Sequence, residues 1–275
     1  MSLLIPCFWG KRLIEMSLDN YRSLYENPKM WSKSLPETVL QRAQLTATAV
    51  PTDVRTVLEI GSGDGIIIDA LRQADYNPIA LDISHYALKQ IKNTRRVQGN
   101  ASQLPFSSDS FNLVLSCELL EHIPDAAYSQ VLNEISRIAT KYIIITVPYK
   151  ERLEWNNARC PSCGCIFNGA YHLRSFNENN IKLLFQSFKC VSLKEIVHVL
   201  HPDRTTRFEL FIRHCLASEY LYCSPSVTCP LCFTPVDKRP DRNWLGWVAA
   251  GMRYFYRIIN RRKSPLWYLA VYEKP

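Results

Sequence analysis

No run of apolar residues in this chain is long enough to cross a bilayer, so a membrane-spanning helix is not expected. Residues 1–8 are apolar but lack basic residues ahead of them and a small-residue cleavage site after them, a poor match to a secretion signal. The expected location is therefore cytoplasmic, where the ten cysteines read as reduced, buried or metal-bound before disulfides are considered. Internal repeats, low-complexity tracts and disordered charge blocks are missing too. What is present is 275 residues with 47% hydrophobic content, enough for one large domain or one domain with a sizeable insertion. Charge is uneven: residues 1–150 carry 15 basic and 15 acidic side chains and residues 151–275 carry 18 and 10, so the second half supplies the whole net charge of +8. Such an excess suits an anionic partner, whether a phosphorylated substrate, nucleic acid or an acidic membrane surface, and equally a merely solvated basic face.

The dehydrogenase spacing G-x-G-x-x-G does not occur here, yet a glycine-rich turn does. Residues 57–65 read V-L-E-I-G-S-G-D-G, a short apolar strand running into a turn and then an apolar helix. Gly61, Gly63 and Gly65 remove side chains where the backbone must turn sharply and approach a ligand. Asp82 ends the next apolar run about 20 residues on, where an acidic side chain can accept both hydroxyls of a ribose.

This E-x-G-x-G-x-G pattern resembles that of the class I S-adenosylmethionine-dependent methyltransferases. Residues 99–106 followed by 109–112 are similar to the family's adenine-binding stretch and its lead into strand four. Residues 117–125, C-E-L-L-E-H-I-P-D, are close to the E-x-L-E-H-I-x-D stretch of its small-molecule branch. The resemblance implies that Glu59, Gly61, Gly63 and Gly65 border the methionine part of the cofactor and that Asp82 holds the ribose. Ser62, Ile83, Asn100, Ala101, Cys117 and Glu118 complete the implied cofactor set. The family usually has aspartate where Asn100 stands; asparagine keeps a carbonyl acceptor for the adenine amino group and loses the charge.

Apolar runs at 56–60, 79–82, 111–117 and 142–147 alternate with helical patterns near 66–73, 84–92 and 125–139. That alternation predicts an α/β fold with a parallel sheet covered on both faces. The resemblance implies its doubly wound, Rossmann-like form, seven strands with an antiparallel last one. Ser34 and Glu37 form a capping-box signal for a helix to about residue 49. Tyr21, Tyr25 and Trp31 precede it and either fold over the cofactor or pack on the sheet edge. The expected divisions are a helical lid (1–50), a cofactor-binding core (51–150), a cap loop (151–175), a core helix and strand six (176–199), an insertion (200–265) and a closing strand (266–275). The insertion is too long to lack structure of its own and should hold helices and a staple.

The staple is legible as Cys160-Pro-Ser-Cys163 and Cys229-Pro-Leu-Cys232, two knuckles that offer four thiolates to a structural zinc ion. Strands five and six are expected to be parallel neighbours, which would start both knuckles from the same sheet edge. Cys165, Cys223 and His172 are substitutes for any of the four, and two separate buried pairs or a redox dithiol are the alternatives. The C-P-x-C-G…H-L-R-x-F order resembles a zinc-knuckle subgroup of these methyltransferases. In that reading the zinc stiffens a cap over the substrate mouth, with Tyr149, Trp155, Tyr171, His172 and Arg174 as substrate contacts; Arg174 could instead tether a helix start and His172 a backbone carbonyl.

A sulfonium methyl is already activated, so the protein's tasks are alignment, exclusion of water and removal of a proton; His122 and His172 are the candidate bases. The expected acceptor is a hydroxyl on a small-molecule or glycan-like substrate, an anionic one included. The N/D-P-P-Y/F signature of base amino methylation is absent after strand four, so an RNA base methyltransferase is the less favoured alternative, with a non-catalytic cofactor-binding module as a third. Near the C-terminus, Trp244, Trp247, Val248, Gly251, Phe255, Ile258 and Ile259 form an apolar helical stripe followed by Arg257, Arg261, Arg262 and Lys263. The stripe either gives peripheral membrane contact or packs on the cap. Oligomeric state is not legible.

Overall fold

The computed structural model describes residues 18–31, 35–200, 207–216, 227–237, 241, 243–259 and 263–275. In chain order the elements are α1 (Leu18–Tyr25), α2 (Glu37–Thr48), β1 (Val57–Ile60), α3 (Ile66–Gln73), β2 (Pro78–Asp82), α4 (His85–Gln90), β3 (Arg95–Gln98), β4 (Phe111–Cys117), α5 (Asp125–Ile138) and β5 (Ala139–Pro148). There follow β6 (Asn157–Arg159), β7 (Ile166–Asn168), α6 (Glu178–Lys182), β8 (Lys189–Leu200), α7 (Arg207–Phe211), α8 (Trp244–Ile259) and β9 (Lys263–Glu273). The chain divides into two compact units. The first takes the described parts of 17–151 with 174–198 and 265–275; the second takes 152–173 and the described parts of 199–264.

The first unit is a seven-stranded sheet in the order β3-β2-β1-β4-β5-β9-β8. Strands β3 through β5 pair in parallel, and β9 runs antiparallel to β5, from Tyr142 opposite Glu273 to Pro148 opposite Trp267. β1, β4 and β5 read as nearly unbroken apolar runs because both faces of a parallel sheet are covered. On one face Leu58, Val114, Ile143 and Ile145 pack with Val131, Ile135 and Ile138 of α5. On the other Val57, Leu113, Leu115 and Ile144 pack with Ala43 and Ala47 of α2 and Ile67 and Leu71 of α3. Glu59 is the one acidic side chain of β1, directed to the Val57 face by the two-residue period of a strand.

Several expectations are corrected. Strands five and six, here β5 and β8, are not neighbours: the antiparallel closing strand β9 lies between them. β3 escaped the hydrophobic pattern because an edge strand reading R-R-V-Q, largely exposed, has no apolar run to show. α2 starts at Glu37 behind Pro36, later than the capping-box signal predicts, and Pro36 offers no side-chain cap; Ser34 lies outside the described residues. The core helix expected early in 176–199 is only the five residues of α6, fixed by a reciprocal Asn177–Asn180 capping box, with Phe176, Ile181 and Phe185 buried around it.

Candidate functional site

β1 delivers the chain to a turn in which Gly61 and Gly63 have φ of +73° and +54°, the left-handed region that side chains avoid. Space is as restrictive as conformation, since a Cβ at Gly61 would lie 2.9 Å from Leu119 and one at Gly63 3.0 Å from Trp31. Asp82, at the end of β2, clamps this turn: its Oδ2 accepts from the Gly63 amide at 2.8 Å and its Oδ1 from the Ser84 amide at 2.8 Å. Burial raises the Asp82 carboxyl while the backbone amides of Ser84 and Gly63 hold it down. Ser62 is buried with its hydroxyl on the Leu81 carbonyl, so it braces the turn.

These residues wall a cavity of about 410 Å³ within the first unit, also lined by Ile83, Asn100, Ala101, Cys117, Glu118 and His122. That volume lies in the range of small-molecule sites. Tyr25 and Trp31 line it as well, locked together by the Trp31 Nε1–H donating to the Tyr25 carbonyl at 2.7 Å. Tyr25 Oη lies 3.2 Å from His122 Nδ1, with the rings edge to face. The aromatic N-terminal section therefore meets the cavity.

One charged residue of the cavity went unrecognised in the sequence. Arg42 of α2 is buried and pairs with Glu118 at 3.0 Å while lying 5.0 Å over the Trp267 ring. Trp267 Nε1–H donates to the same Glu118 oxygen at 2.8 Å, and Glu118 itself holds φ of +53°. The missed signal was positional: Arg42 shares an inward helical face with Ala43, Thr46 and Ala47, which makes it a cation directed at the core. Glu59 is fully buried, its Oε2 has no hydrogen-bond partner, and burial pushes its carboxyl well above the usual range against the pull of Arg42. A buried acceptor without a donor is costly, and the ammonium of a methionine moiety would answer it. Burial also lifts the Cys117 thiol to about 12, which keeps it neutral and makes it a packing group.

Asn100 lines the cavity with its carbonyl oxygen already engaged. Its Oδ1 accepts from both the amide and the hydroxyl of Ser102, each at 2.9 Å, so the carbonyl oxygen is spent on the turn and the side chain's other group is an amide donor. An aspartate would keep the turn and restore a second acceptor. Asn100→Asp is accordingly expected to tighten cofactor binding about fivefold, read by calorimetric titration.

In the second unit the two knuckles fold alike. The amide of Gly164 donates to Cys160 and that of Phe233 to Cys229, while the amides of Cys160 and Cys229 donate to Cys165 and Thr234. Gly164 and Phe233 share a positive φ, +72° and +56°. The four sulfurs converge, with Sγ separations of 3.5 Å for Cys160–Cys232, 3.6 Å for Cys163–Cys229 and 3.7 Å for Cys163–Cys232. None of these cysteines is in a disulfide. A tetrahedron with metal–sulfur bonds of about 2.3 Å has edges of about 3.8 Å, so the donor set fits a tetrahedral thiophilic ion. Amides of Ser162, Cys163 and Leu231 point at the sulfurs, as such a site needs. Cys165, the substitute ligand, lies 3.3 Å from Cys229; Cys223 lies outside the described residues.

The expected substrate contacts divide between the two units. Tyr171 is corrected: it is buried, stacks on Phe167, and its hydroxyl both donates to and accepts from the Thr228 backbone, so it ties the first knuckle segment to the second. His172 holds its amide on Asn168, and Trp155 lies under Arg152. In the first unit Arg174 donates to the Leu120 carbonyl and to Asp125 at the start of α5, both at 2.6 Å, across the Tyr128 ring. Tyr149 packs on Tyr268.

Residues 58–142 match the family model described as "Methyltransferase domain". An uncharacterized protein of Methanocaldococcus jannaschii is 39% identical over 95 residues, 33% of this chain and 40% of that protein, so this chain spans less than half of that relative. Among solved structures, a SAM-dependent methyltransferase from Archaeoglobus fulgidus aligns with a TM-score of 0.53 at 14% identity, covering 92% of this chain and 98% of the other. A chain from the complex of the Haloferax volcanii Trm112 methyltransferase activator with a methyltransferase aligns with a TM-score of 0.52 at 16% identity, covering 93% and 97%. Identities this low establish a shared fold. Residues 58–142 thus match a methyltransferase domain in sequence, and the first unit shares the fold of the S-adenosylmethionine-dependent methyltransferases.

Proposed function

We propose that this protein methylates a hydroxyl of a small-molecule or glycan-like acceptor, anionic acceptors included, and that its four converging cysteines hold a structural zinc ion. The observation that carries the methyl-transfer reading is the pairing of the Asp82-clamped glycine turn with an unsatisfied, buried Glu59 in one cavity. Asp82 would hold the ribose, Glu59 the methionine ammonium and Arg42 its carboxylate. S-adenosylmethionine, when bound, supplies a methyl group on a sulfonium whose departure needs no acid. The chain's own part is orientation, dryness and a base. Tyr25 and Trp31 wall the cavity against water, and in the tautomer that donates from Nδ1 to Tyr25, Nε2 of His122 is the basic nitrogen. The zinc reading rests on the sulfur separations and leaves a closed shell with no catalytic position.

Two readouts test the first part. Calorimetry should show one molecule of S-adenosylmethionine bound per chain, and labelled methyl should pass to a hydroxyl in an acceptor panel. His122→Asn should keep the binding and lose at least about a hundredfold in turnover. Full turnover of that variant removes His122 as the base, and label recovered only in nucleic acid overturns the acceptor class.

A further inference from the structure

Helix α8 turns its bulk outward. It packs on α7 and the π-helical turn Ile212–Leu216 through small residues, with Gly246 buried and Ala249 wholly so. Trp244, Trp247, Tyr254, Phe255 and Ile259 are instead 64% to 72% exposed, and Val248 and Ile258 nearly half so. These positions recur at three- and four-residue steps, which on a helix makes one unbroken apolar stripe. Gly251 belongs to it, and a Cβ built there would meet nothing within 4 Å. Most of the stripe's side-chain surface is thus exposed, and a contiguous apolar face of this size marks a contact surface.

Charge and length select the occupant. The 16 residues of α8 include no Asp or Glu, and in sequence they carry Arg253 and Arg257 and lead into Arg261, Arg262 and Lys263; the Arg257, Arg261 and Arg262 side chains lie outside the described residues. Indole and phenol rings are at home at the level of lipid headgroups, and a basic helix end complements anionic ones. Sixteen helical residues reach about 24 Å, short of the ~30 Å hydrocarbon layer, and among the described residues no helix is long and apolar enough to cross a membrane. We propose that α8 lies in the plane of an anionic phospholipid surface with its Trp244–Ile259 stripe at the acyl boundary. This goes beyond the methyl-transfer reading and does not depend on it.

The test is flotation of the full chain with vesicles of phosphatidylcholine alone and with about one third phosphatidylglycerol, at low and high salt. The expected result is flotation with the anionic vesicles, weakened by salt, with a blue shift of tryptophan emission. Trp247→Glu with Phe255→Glu should cut the partition coefficient at least about tenfold while zinc content and S-adenosylmethionine binding stay as in the parent. The cofactor readout separates failure of this surface from failure of the enzyme reading. No flotation, or flotation unchanged in the double variant, overturns the proposal. So does a concentration-dependent dimer that the double variant abolishes in the absence of lipid, which would assign the stripe to a second copy.

Discussion

Asp82→Ala is expected to weaken S-adenosylmethionine binding by about two orders of magnitude. Hydrogen bonds to a charged group contribute roughly 1.5 to 3 kcal/mol each, and the ribose would lose two acceptors at once. The loss is deepened because the same carboxylate organises the turn: without it the amides of Gly63 and Ser84 have no side-chain acceptor. Asparagine is not a mild substitute here. Each oxygen of Asp82 accepts a backbone N–H, so an amide must set its NH2 against one of them, and Asp82→Asn should lose at least about tenfold. Calorimetric titration measures both, with circular dichroism to confirm the fold. Parent-like affinity in either variant would remove Asp82 from the ribose role.

Chelation of the metal, or Cys229→Ser, is expected to unfold the knuckle region while leaving the cofactor cavity competent. Cys229 is wholly buried and its sulfur faces Cys163, so a serine there breaks the donor set at its centre. Structural zinc contributes roughly 10 to 16 kcal/mol to small zinc domains, far more than the short β6–β7 hairpin can replace. Native mass spectrometry should find one zinc in the parent and less than about half an equivalent in the variant. Hydrogen exchange should then lose protection over 157–168 and 227–236, and S-adenosylmethionine binding should persist because every residue lining the cavity belongs to the other unit. Unchanged exchange after complete metal removal would show that the cysteines do not staple this unit.

The cofactor turn was legible because its demands are local. A positive φ and a close approach require glycine whatever the rest of the chain does, so Gly61 and Gly63 announce themselves in any alignment of residues to a strand-turn-helix pattern. The C-P-x-C knuckles are local in the same sense, each closing its own hydrogen-bonded turn. Which groups Asn100 leaves open to a ligand was not legible, because Ser102, the competitor for its oxygen, decides that by geometry rather than by spacing. Tyr171 is expected from the sequence to contact substrate, and only the arrival of Thr228 from a segment 57 residues away shows it to be internal.

The sequence by itself therefore determined the glycine turn, the acidic ribose candidate, the paired knuckles and the alternation that predicts a parallel sheet covered on both faces, all written in patterns of a few residues. Only the tertiary structure decided that β9 enters between β5 and β8, that Arg42 reaches Glu118, and that the apolar stripe of α8 faces outward. Those outcomes depend on which surfaces meet across long stretches of chain, and a hydrophobic period records that a face is apolar without recording what covers it.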